Sequence, residues 1–241
     1  MALIFFFFTG NTQIEMMTID KKSLLPQGLT IMPSRTHGTV SILISNTRSV
    51  KQKIRLHLPS GSSSSGLEGR FRELTLSDLR TNPKRAWNEM GRPLESLSKT
   101  QILKIRNASR LALSDIRPIE PMILVEIDPQ SVKMVHYCFV GKEEKAEQPY
   151  DVQFHCEEET ETLLIFWKYP SKPYCIDSFD LEFSLNGFFW EFERVEKTMS
   201  LNNFHFVSEA KEGWYRIRAI SYYGDYGPYS VPIFIFCRKE V

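Results

Sequence analysis

The alternation of apolar and polar residues is clearest in the stretch from Trp214 to Ser230. Three residues of one face alternate with three of the other: Tyr215, Ile217 and Ala219 with Trp214, Arg216 and Arg218. This two-residue period predicts a strand with one face in a core and one face outside. A turn rich in glycine follows, and then a second β-rich run from Val231 to Phe236. The pattern predicts a strand, a glycine turn and an edge strand that close a small β-sandwich.

Residues 150–238 repeat this pattern in short runs separated by turn signals. The predicted strands are Val152 to Phe154, Leu163 to Lys168, Phe179 to Leu185, Phe189 to Val195, Leu201 to Val207, Trp214 to Tyr222 and Val231 to Phe236. Seven short strands at this spacing predict an immunoglobulin-like sandwich. The structural core of this domain is predicted to contain Trp167, Leu181, Tyr215 and Ile217. The module resembles fibronectin type III domains, with Trp167 in the second strand, Tyr215 at the tyrosine corner and Gly-Pro-Tyr-Ser at the last turn.

Residues 28–140 form the first predicted domain, a partial β-sandwich with one helix. Strands are predicted at Val40 to Ser45, Lys53 to Leu58, around Leu74 and Leu76, Met122 to Ile127 and Val132 to Val140. We expect the first two to be neighbours in one sheet. Residues 78–93 read as irregular, and the capping-box spacing from Ser98 to Gln101 predicts a helix near 99–110. The charged stretch 141–149 is the predicted linker, and 1–27 is an uncertain N-terminal segment.

Two groups of outward residues in the second domain lead to specific expectations. Asp180 and Glu182 lie on the third strand and should face Arg216 and Arg218 on the sixth, because these strands are neighbours in such a sandwich. Cross-strand pairs of opposite charge contribute about 0.2 to 1 kcal/mol each. Three large apolar residues also fall on outer faces: Leu164, Phe166 and Trp214. Several such residues on a small module indicate a surface covered by another domain.

Composition excludes several classes of function. The 30 basic and 29 acidic residues leave a net charge of +1, so a nucleic-acid partner is not expected. The four cysteines contain no Cys-x-x-Cys pair, so we expect no zinc site and no other metal or cofactor. The apolar run within residues 1–10 is far shorter than the roughly 20 residues that span a bilayer. It also lacks the basic region and the clear cleavage site of a secretory signal peptide. We therefore expect no membrane partner.

A search for catalytic patterns finds none. The chain has no Gly-x-Ser-x-Gly, phosphate-binding loop, His-Glu-x-x-His or dinucleotide fingerprint, and its five histidines are scattered. The residues alone argue against an enzyme.

Four segments nevertheless carry a family resemblance in consistent order: Trp87 to Pro93, Val135 to Cys138, Phe179 to Gly187 and Tyr215 to Ala219. Together they resemble the C-terminal half of the α-L-iduronidases, family 39 glycoside hydrolases. The resemblance implies a (β/α)8 barrel that carries the chemistry, a flanking β-sandwich and a following fibronectin type III-like domain. It implies retaining hydrolysis by two carboxylates of the barrel.

The resemblance also defines what is missing. This chain has no barrel, so no position receives a catalytic glutamate, and activity of the isolated chain is not expected. The implied partner is a catalytic barrel of the same or a related polypeptide. Glycosaminoglycan would be reached only through the parent enzyme, and the implied location is the lysosome. The family's sandwich includes strands from before the barrel, which implies an open sheet edge here. We expect a partial product or, alternatively, a short paralogue.

A second function stays open beside the first. A stand-alone fibronectin type III module without enzymatic role would bind a partner through Trp214 and the loop from Tyr222 to Tyr229.

Two modifications are also considered. Cys156 follows the first strand of the module and Cys237 the last, so both lie at one pole and a disulfide between them is geometrically allowed; four free thiols are an equal alternative. Asn107-Ala108-Ser109 is a candidate glycosylation sequon, but a helical sequon is a poor acceptor, and we do not expect it to be used.

Overall fold

The computed structural model describes residues 27–36, 38–57, 69–93, 97–120, 122–139, 145–157, 162–170, 175–193, 203–207 and 211–236. The chain divides into two units, Met1–Phe139 and Val140–Val241. Within the described ranges, no helix is long and apolar enough to cross a bilayer.

The first unit is a layered β structure with two short helices. Its elements in chain order are β1 (Leu29–Thr36), β2 (Thr39–Asn46), β3 (Gln52–His57), β4 (Arg70–Leu76), α1 (Pro83–Glu89), α2 (Lys99–Ala108), β5 (Ala112–Leu113), β6 (Arg117–Pro118), β7 (Met122–Ile127) and β8 (Ser131–Cys138).

The strands of the first unit form two antiparallel sheets of unequal size. The larger sheet has six strands in the order β1-β2-β8-β4-β5, with β6 also paired to β4, and the smaller sheet contains β3 and β7. One core joins residues of both sheets, including Ile44 and Tyr137 of the larger and Val125 of the smaller, all fully buried. The rings of Phe71 and Tyr137 stack in this core with centroids 5.6 Å apart. The predicted class, a mainly β sandwich with a short helix, is confirmed.

The expected pairing of the first two predicted strands is wrong. The strand near Val40 to Ser45 is β2 and pairs with β1 and β8, whereas the strand near Lys53 pairs with β7 in the other sheet. The chain changes sheets after Asn46, which is buried and donates its side-chain amide to the carbonyls of Val50 and Asp128 at 3.0 and 2.9 Å. Apolar alternation is identical for strands of either sheet, so it carries no information on this change.

Two helices follow β4, and the sequence predicted one of them. The capping box is confirmed: the Ser98 hydroxyl accepts from the Gln101 backbone, and the Gln101 side chain accepts from the Ser98 backbone. Residues 78–93 are not irregular throughout, because they contain α1. Asn82 caps this helix by accepting a hydrogen bond from the Arg85 backbone at 2.8 Å, and Pro83 occupies its first turn. Asparagine at the cap and proline in the first turn are both signals of a helix start, but the sequence analysis interpreted them only as turn residues.

The second unit contains all seven predicted strands. They are β9 (Tyr150–Glu157), β10 (Thr162–Lys168), β11 (Ile176–Ser184), β12 (Glu191–Glu193), β13 (Phe204–Val207), β14 (Gly213–Ser221) and β15 (Ile233–Ile235). They form a three-stranded sheet, β13-β10-β9, and a four-stranded sheet, β12-β11-β14-β15. This is the expected two-layer sandwich.

The core between these two sheets contains the four residues assigned to it from the sequence. Trp167, Leu181, Tyr215 and Ile217 are all buried there. The Trp167 ring meets Phe179 edge-on at 4.9 Å. The Tyr215 hydroxyl donates to the carbonyl of Lys211 at 2.9 Å, which is the bond of a tyrosine corner.

A largely covered histidine lies on the larger sheet of the first unit, on the face opposite the core. His136 of β8 is flanked in register by Ser41 of β2 and Arg72 of β4. The Ser41 hydroxyl and His136 Nδ1 are 2.8 Å apart. Burial, and secondarily the charge of Arg72, lowers the pKa of His136 from 6.5 to about 4. The neutral imidazole is therefore the form that the fold accommodates.

Protonation of His136 is predicted to destabilise the first unit in acid. Because its pKa is lower in the folded than in the unfolded chain, this stabilisation is complete above pH 6.5 and is lost as pH falls toward 4. The contribution is up to about 3 kcal/mol, since one pKa unit corresponds to about 1.4 kcal/mol. His136→Gln should flatten the pH dependence of the unfolding free energy in this window, measured by urea denaturation.

His155→Gln, which alters an exposed histidine of β9, is the control and should leave the slope of unfolding free energy against pH unchanged. Equal slopes for wild type and His136→Gln would contradict the prediction.

Candidate interaction surfaces

The predicted ion pairs between β11 and β14 are present. Asp180 lies opposite Arg218 and Glu182 opposite Arg216 in the strand register. Arg216 donates from Nε and Nη2 to Glu182 Oε2 at 2.8 and 2.6 Å, and Arg218 donates from the same two nitrogens to Asp180 Oδ2 at 3.1 and 3.0 Å. The predicted register is confirmed.

These pairs are not solvated, as outward charges would be. Every residue of β11 is buried, and the side chains of Asp180 and Glu182 are only 7% and 11% exposed. Aromatic rings cover the face in an alternating stack with the two guanidinium groups. We call this stack the guanidinium ladder; its members in order are Trp190, Arg216, Tyr229, Arg218 and Tyr226.

The contacts within the guanidinium ladder are close. Arg216 lies 4.0 Å from the Trp190 ring centroid and 3.9 Å from that of Tyr229. Arg218 lies 4.6 Å from Tyr229 and 4.0 Å from Tyr226. Cation–π contacts at such distances are worth about 0.5 to 2 kcal/mol, more when water is excluded. Each guanidinium group of the ladder therefore pairs with one carboxylate and lies between two aromatic rings.

The loop after β14 holds Tyr229 in the ladder. Backbone bonds run from Gly227 to the Ala219 carbonyl at 2.9 Å and from Ser230 to the Ile217 carbonyl at 2.7 Å. The Ser230 hydroxyl also accepts from the Ile217 backbone at 3.0 Å. The Tyr229 hydroxyl donates a short bond to Glu182 Oε1. Burial, followed by this bond, raises the pKa of Tyr229 above its ordinary value.

Most residues of this loop therefore contribute to the packing of the module itself. Tyr222 is buried and Tyr229 is engaged with Glu182, so Tyr226 is the ring of this loop that remains largely exposed. A partner could meet Tyr226 without disturbing the sandwich, but not Tyr222 or Tyr229.

Leu164 and Phe166 lie on the outer face of the three-stranded sheet. In the register Leu164 is opposite Phe206 and Phe166 is opposite Phe204. The rings of Phe204 and Phe206 meet edge-on at 5.8 Å. We call these four residues the phenylalanine face. Its three rings are all more than a third exposed, which is unusual for adjacent large apolar residues on one side of a sheet.

Trp214 lies on a different surface, the outer face of the four-stranded sheet. Its ring meets Phe234 edge-on at 5.4 Å. The three residues expected to contact another domain thus divide between two sheets. Because the core lies between these sheets, the two outer faces point away from each other.

A loop with exposed aromatic residues lies beside Trp214. Phe188 and Phe189 are 83% and 81% exposed in the connection that follows β11. Asn186 holds the loop in a turn, because its Oδ1 accepts from the backbones of Phe188 and Phe189 at 2.9 and 3.0 Å. Gly187 has φ +76° and lies against Trp214. We call this segment the Phe188 loop; the sequence prediction began a strand at Phe189 and left Phe188 outside any element, so it missed the exposure of the two rings.

The cysteines and the sequon are placed as follows. Cys138, Cys156 and Cys175 are each disulfide-bonded, which argues against the alternative of four free thiols. Cys156 lies within β9 rather than after it. Cys237 lies outside the described residues, so the pairing of Cys156 with Cys237 stays a prediction. Asn107 is exposed in the last turn of α2.

In the part of the chain that the structure describes, no three His, Cys, Asp or Glu side chains converge so that they could hold an ion. The second unit instead displays exposed aromatic side chains on the phenylalanine face and the Phe188 loop.

Comparison with known proteins agrees with the sequence resemblance. Residues 157–236 match the family described as the α-L-iduronidase C-terminal domain. No curated protein matches the chain. Among solved structures, the chain is similar to a bacterial orthologue of human α-L-iduronidase, with 22% identity, a TM-score of 0.63, and coverage of 87% of this chain and 38% of that chain.

Two further solved structures are similar over smaller parts. A family 39 β-xylosidase from Caulobacter crescentus has 15% identity, a TM-score of 0.36, and coverage of 44% of this chain and 22% of that chain. A fibronectin-like protein from Clostridium thermocellum has 13% identity, a TM-score of 0.30, and coverage of 38% and 92% respectively.

The resemblance to the C-terminal region of α-L-iduronidases is thereby confirmed: the family match lies in the second unit, and the bacterial iduronidase shares the fold across most of the chain. The chain spans about two fifths of the length of that bacterial structure.

The hydroxyl of Tyr229 is predicted to stabilise the guanidinium ladder. Tyr229→Phe leaves the ring over both arginines but removes the donor to the buried Glu182 carboxylate. A hydrogen bond to a charged group contributes about 1.5 to 3 kcal/mol, so the unfolding free energy should fall by roughly that amount. Tyr226→Phe is the matched control, since Tyr226 also stacks on an arginine but is largely exposed, and it should change the value by less than about 0.5 kcal/mol. Equal losses in the two variants, measured by chemical denaturation, would refute the assigned role.

Proposed function

We propose that this chain is the non-catalytic C-terminal portion of an α-L-iduronidase-like glycoside hydrolase. The observation that carries the proposal is the match of residues 157–236 to the α-L-iduronidase C-terminal domain. The parent enzyme would hydrolyse terminal α-L-iduronic acid from dermatan sulfate and heparan sulfate. Its setting would be the lysosome.

The unequal layers of the first unit support this proposal. A six-stranded sheet faces a layer that has only β3 and β7 among the described residues. Leu56 and Ile123 pair across that small layer and are buried beneath it. In the described part of the chain, each of the two strands has one paired edge, and the other edge offers unpaired backbone groups to a further strand. Strands contributed by a catalytic polypeptide would complete this layer.

The phenylalanine face supports a contact with a neighbouring domain. Leu164, Phe166, Phe204 and Phe206 alternate with the core residues of β10 and β13, so they cannot turn inward without a change of register. Their burial requires an apolar surface from outside the module. The barrel of the same enzyme is the partner that the family resemblance suggests.

In this role the chain contributes no reacting group. In the family the two carboxylates lie on the barrel, where one protonates the leaving oxygen and the other attacks the anomeric carbon. What the chain would contribute is folding support for the barrel and burial of its apolar surface. Glycosaminoglycan would contact the assembled enzyme and not this portion alone.

One observation favours a second function. The Phe188 loop displays two largely exposed rings, and its Gly187 lies against Trp214 of the four-stranded sheet. A stand-alone fibronectin type III module that binds a protein partner would use such a loop, together with Trp214 beside it. The two functions differ in which surface carries the binding energy.

The proposed function predicts that the chain alone does not release 4-methylumbelliferone from its α-L-iduronide. We expect it to bind a separately expressed iduronidase-like barrel from the same genome, measured by titration calorimetry, and to raise the thermal midpoint of that barrel. The double variant Phe166→Ser and Phe204→Ser should weaken binding at least tenfold, because it removes two rings of the docking face.

The matched control is Phe188→Ser with Phe189→Ser, which removes two rings from the other surface and should leave barrel binding unchanged. Turnover by the isolated chain would overturn the proposal. Binding that is lost only in the Phe188 and Phe189 variant would contradict docking through the phenylalanine face, and a chain that binds no barrel would favour the second function.

A further inference from the structure

The last turn of α2 holds the only Asn-x-Ser/Thr sequence in the chain. It consists of Asn107, Ala108 and Ser109. Asn107 is exposed, and within the described residues its side-chain amide makes no hydrogen bond. Ser109 is the residue that caps the C-terminal end of the helix. The sequon thus lies across the helix end and not in its middle, which removes the reason for expecting it to be unused.

We propose that Asn107 is a site of N-linked glycosylation. The Asn107 amide nitrogen Nδ2 would attack the anomeric carbon of a lipid-pyrophosphate-linked oligosaccharide. The nitrogen–carbon bond forms, the carbon–oxygen bond to the pyrophosphate breaks, the lipid pyrophosphate leaves with the bonding electrons, and the amide loses one proton to the transferase. No oxidant or reductant is required. The proposal is independent of the function proposed above.

The helical conformation is compatible with this modification for a physical reason. Transfer takes place on the chain as it enters the secretory lumen, before tertiary contacts hold α2. A ten-residue helix is marginal by itself in water, and its ends open first. Opening the last turn breaks few bonds: the Ser109 backbone donates to Ile105 and Arg106 at 3.1 Å each, and the Ser109 hydroxyl donates to Arg106 at 2.7 Å. The acceptor can therefore adopt the extended turn that the transferase needs.

The disulfides point to the compartment in which this transfer occurs. Cys138, Cys156 and Cys175 are all bonded. Disulfides form and persist in oxidising surroundings such as the endoplasmic reticulum lumen. The same lumen contains the machinery that glycosylates asparagine.

In the folded protein the site accepts an oligosaccharide without rearrangement. The side chain of Asn107 points to solvent, and replacing one amide hydrogen with a sugar removes no hydrogen bond of the described structure. A glycan here would keep the surface around Asn107 hydrated and prevent another domain from packing on that part of α2.

The experiment expresses the full chain behind an added secretory leader in cultured mammalian cells. Secreted and cell-retained chains are both analysed by intact mass before and after peptide-N-glycosidase treatment, so a folding failure does not hide the result. We expect one oligosaccharide on the wild type and on Ser109→Thr, which keeps the sequon. We expect none on Asn107→Gln or on Ser109→Ala, which keeps the asparagine but destroys the sequon. A wild-type chain without glycan, or a glycan that persists in Asn107→Gln, would overturn the proposal.

Discussion

The second unit depends on the pairing of β11 with β14, because this pairing places charged residues in a strand that is buried on both faces. Asp180 and Glu182 could not stay there without Arg218 and Arg216 opposite them, since an unpaired buried charge is strongly destabilising. A shift of one residue would turn both carboxylates into the apolar core. The guanidinium ladder therefore fixes the register of the sheet more strictly than the apolar residues alone.

The ladder also determines which surfaces remain for partners. It engages Tyr229 and encloses Arg216 and Arg218, so neither the arginines nor most of the loop after β14 is available for binding. Apart from Tyr226 at the end of the ladder, the exposed rings discussed above belong to other segments, the phenylalanine face and the Phe188 loop. The binding properties of the module thus follow from the residues that its own packing does not use.

The sequence predicted features that depend on local period or on complementary charge. The strands, the Ser98 capping box, the core position of Tyr215 and the pairing of Glu182 with Arg216 all belong to this kind. The sequence could not predict the pairing of β3 with β7, because alternation is the same for strands of either sheet and the bond from the Asn46 amide to the Asp128 carbonyl joins residues far apart in the chain. It also missed the cover over the ion pairs, since the aromatic rings come from two loops whose paths alternation does not describe.

In the part of the chain that the structure describes, the two units would offer different kinds of contact to the proposed catalytic partner. The first unit offers strand edges, which bind through backbone hydrogen bonds and tolerate many sequences. The second unit offers aromatic rings, which bind through apolar burial and require a complementary surface. A catalytic domain that used both would be attached at two places of one chain, and its second contact would form at an effective concentration set by the linkage between the units. Each contact could then be weak by itself and still give a stable assembly, so the three exposed rings of the phenylalanine face would not need to supply the whole binding energy.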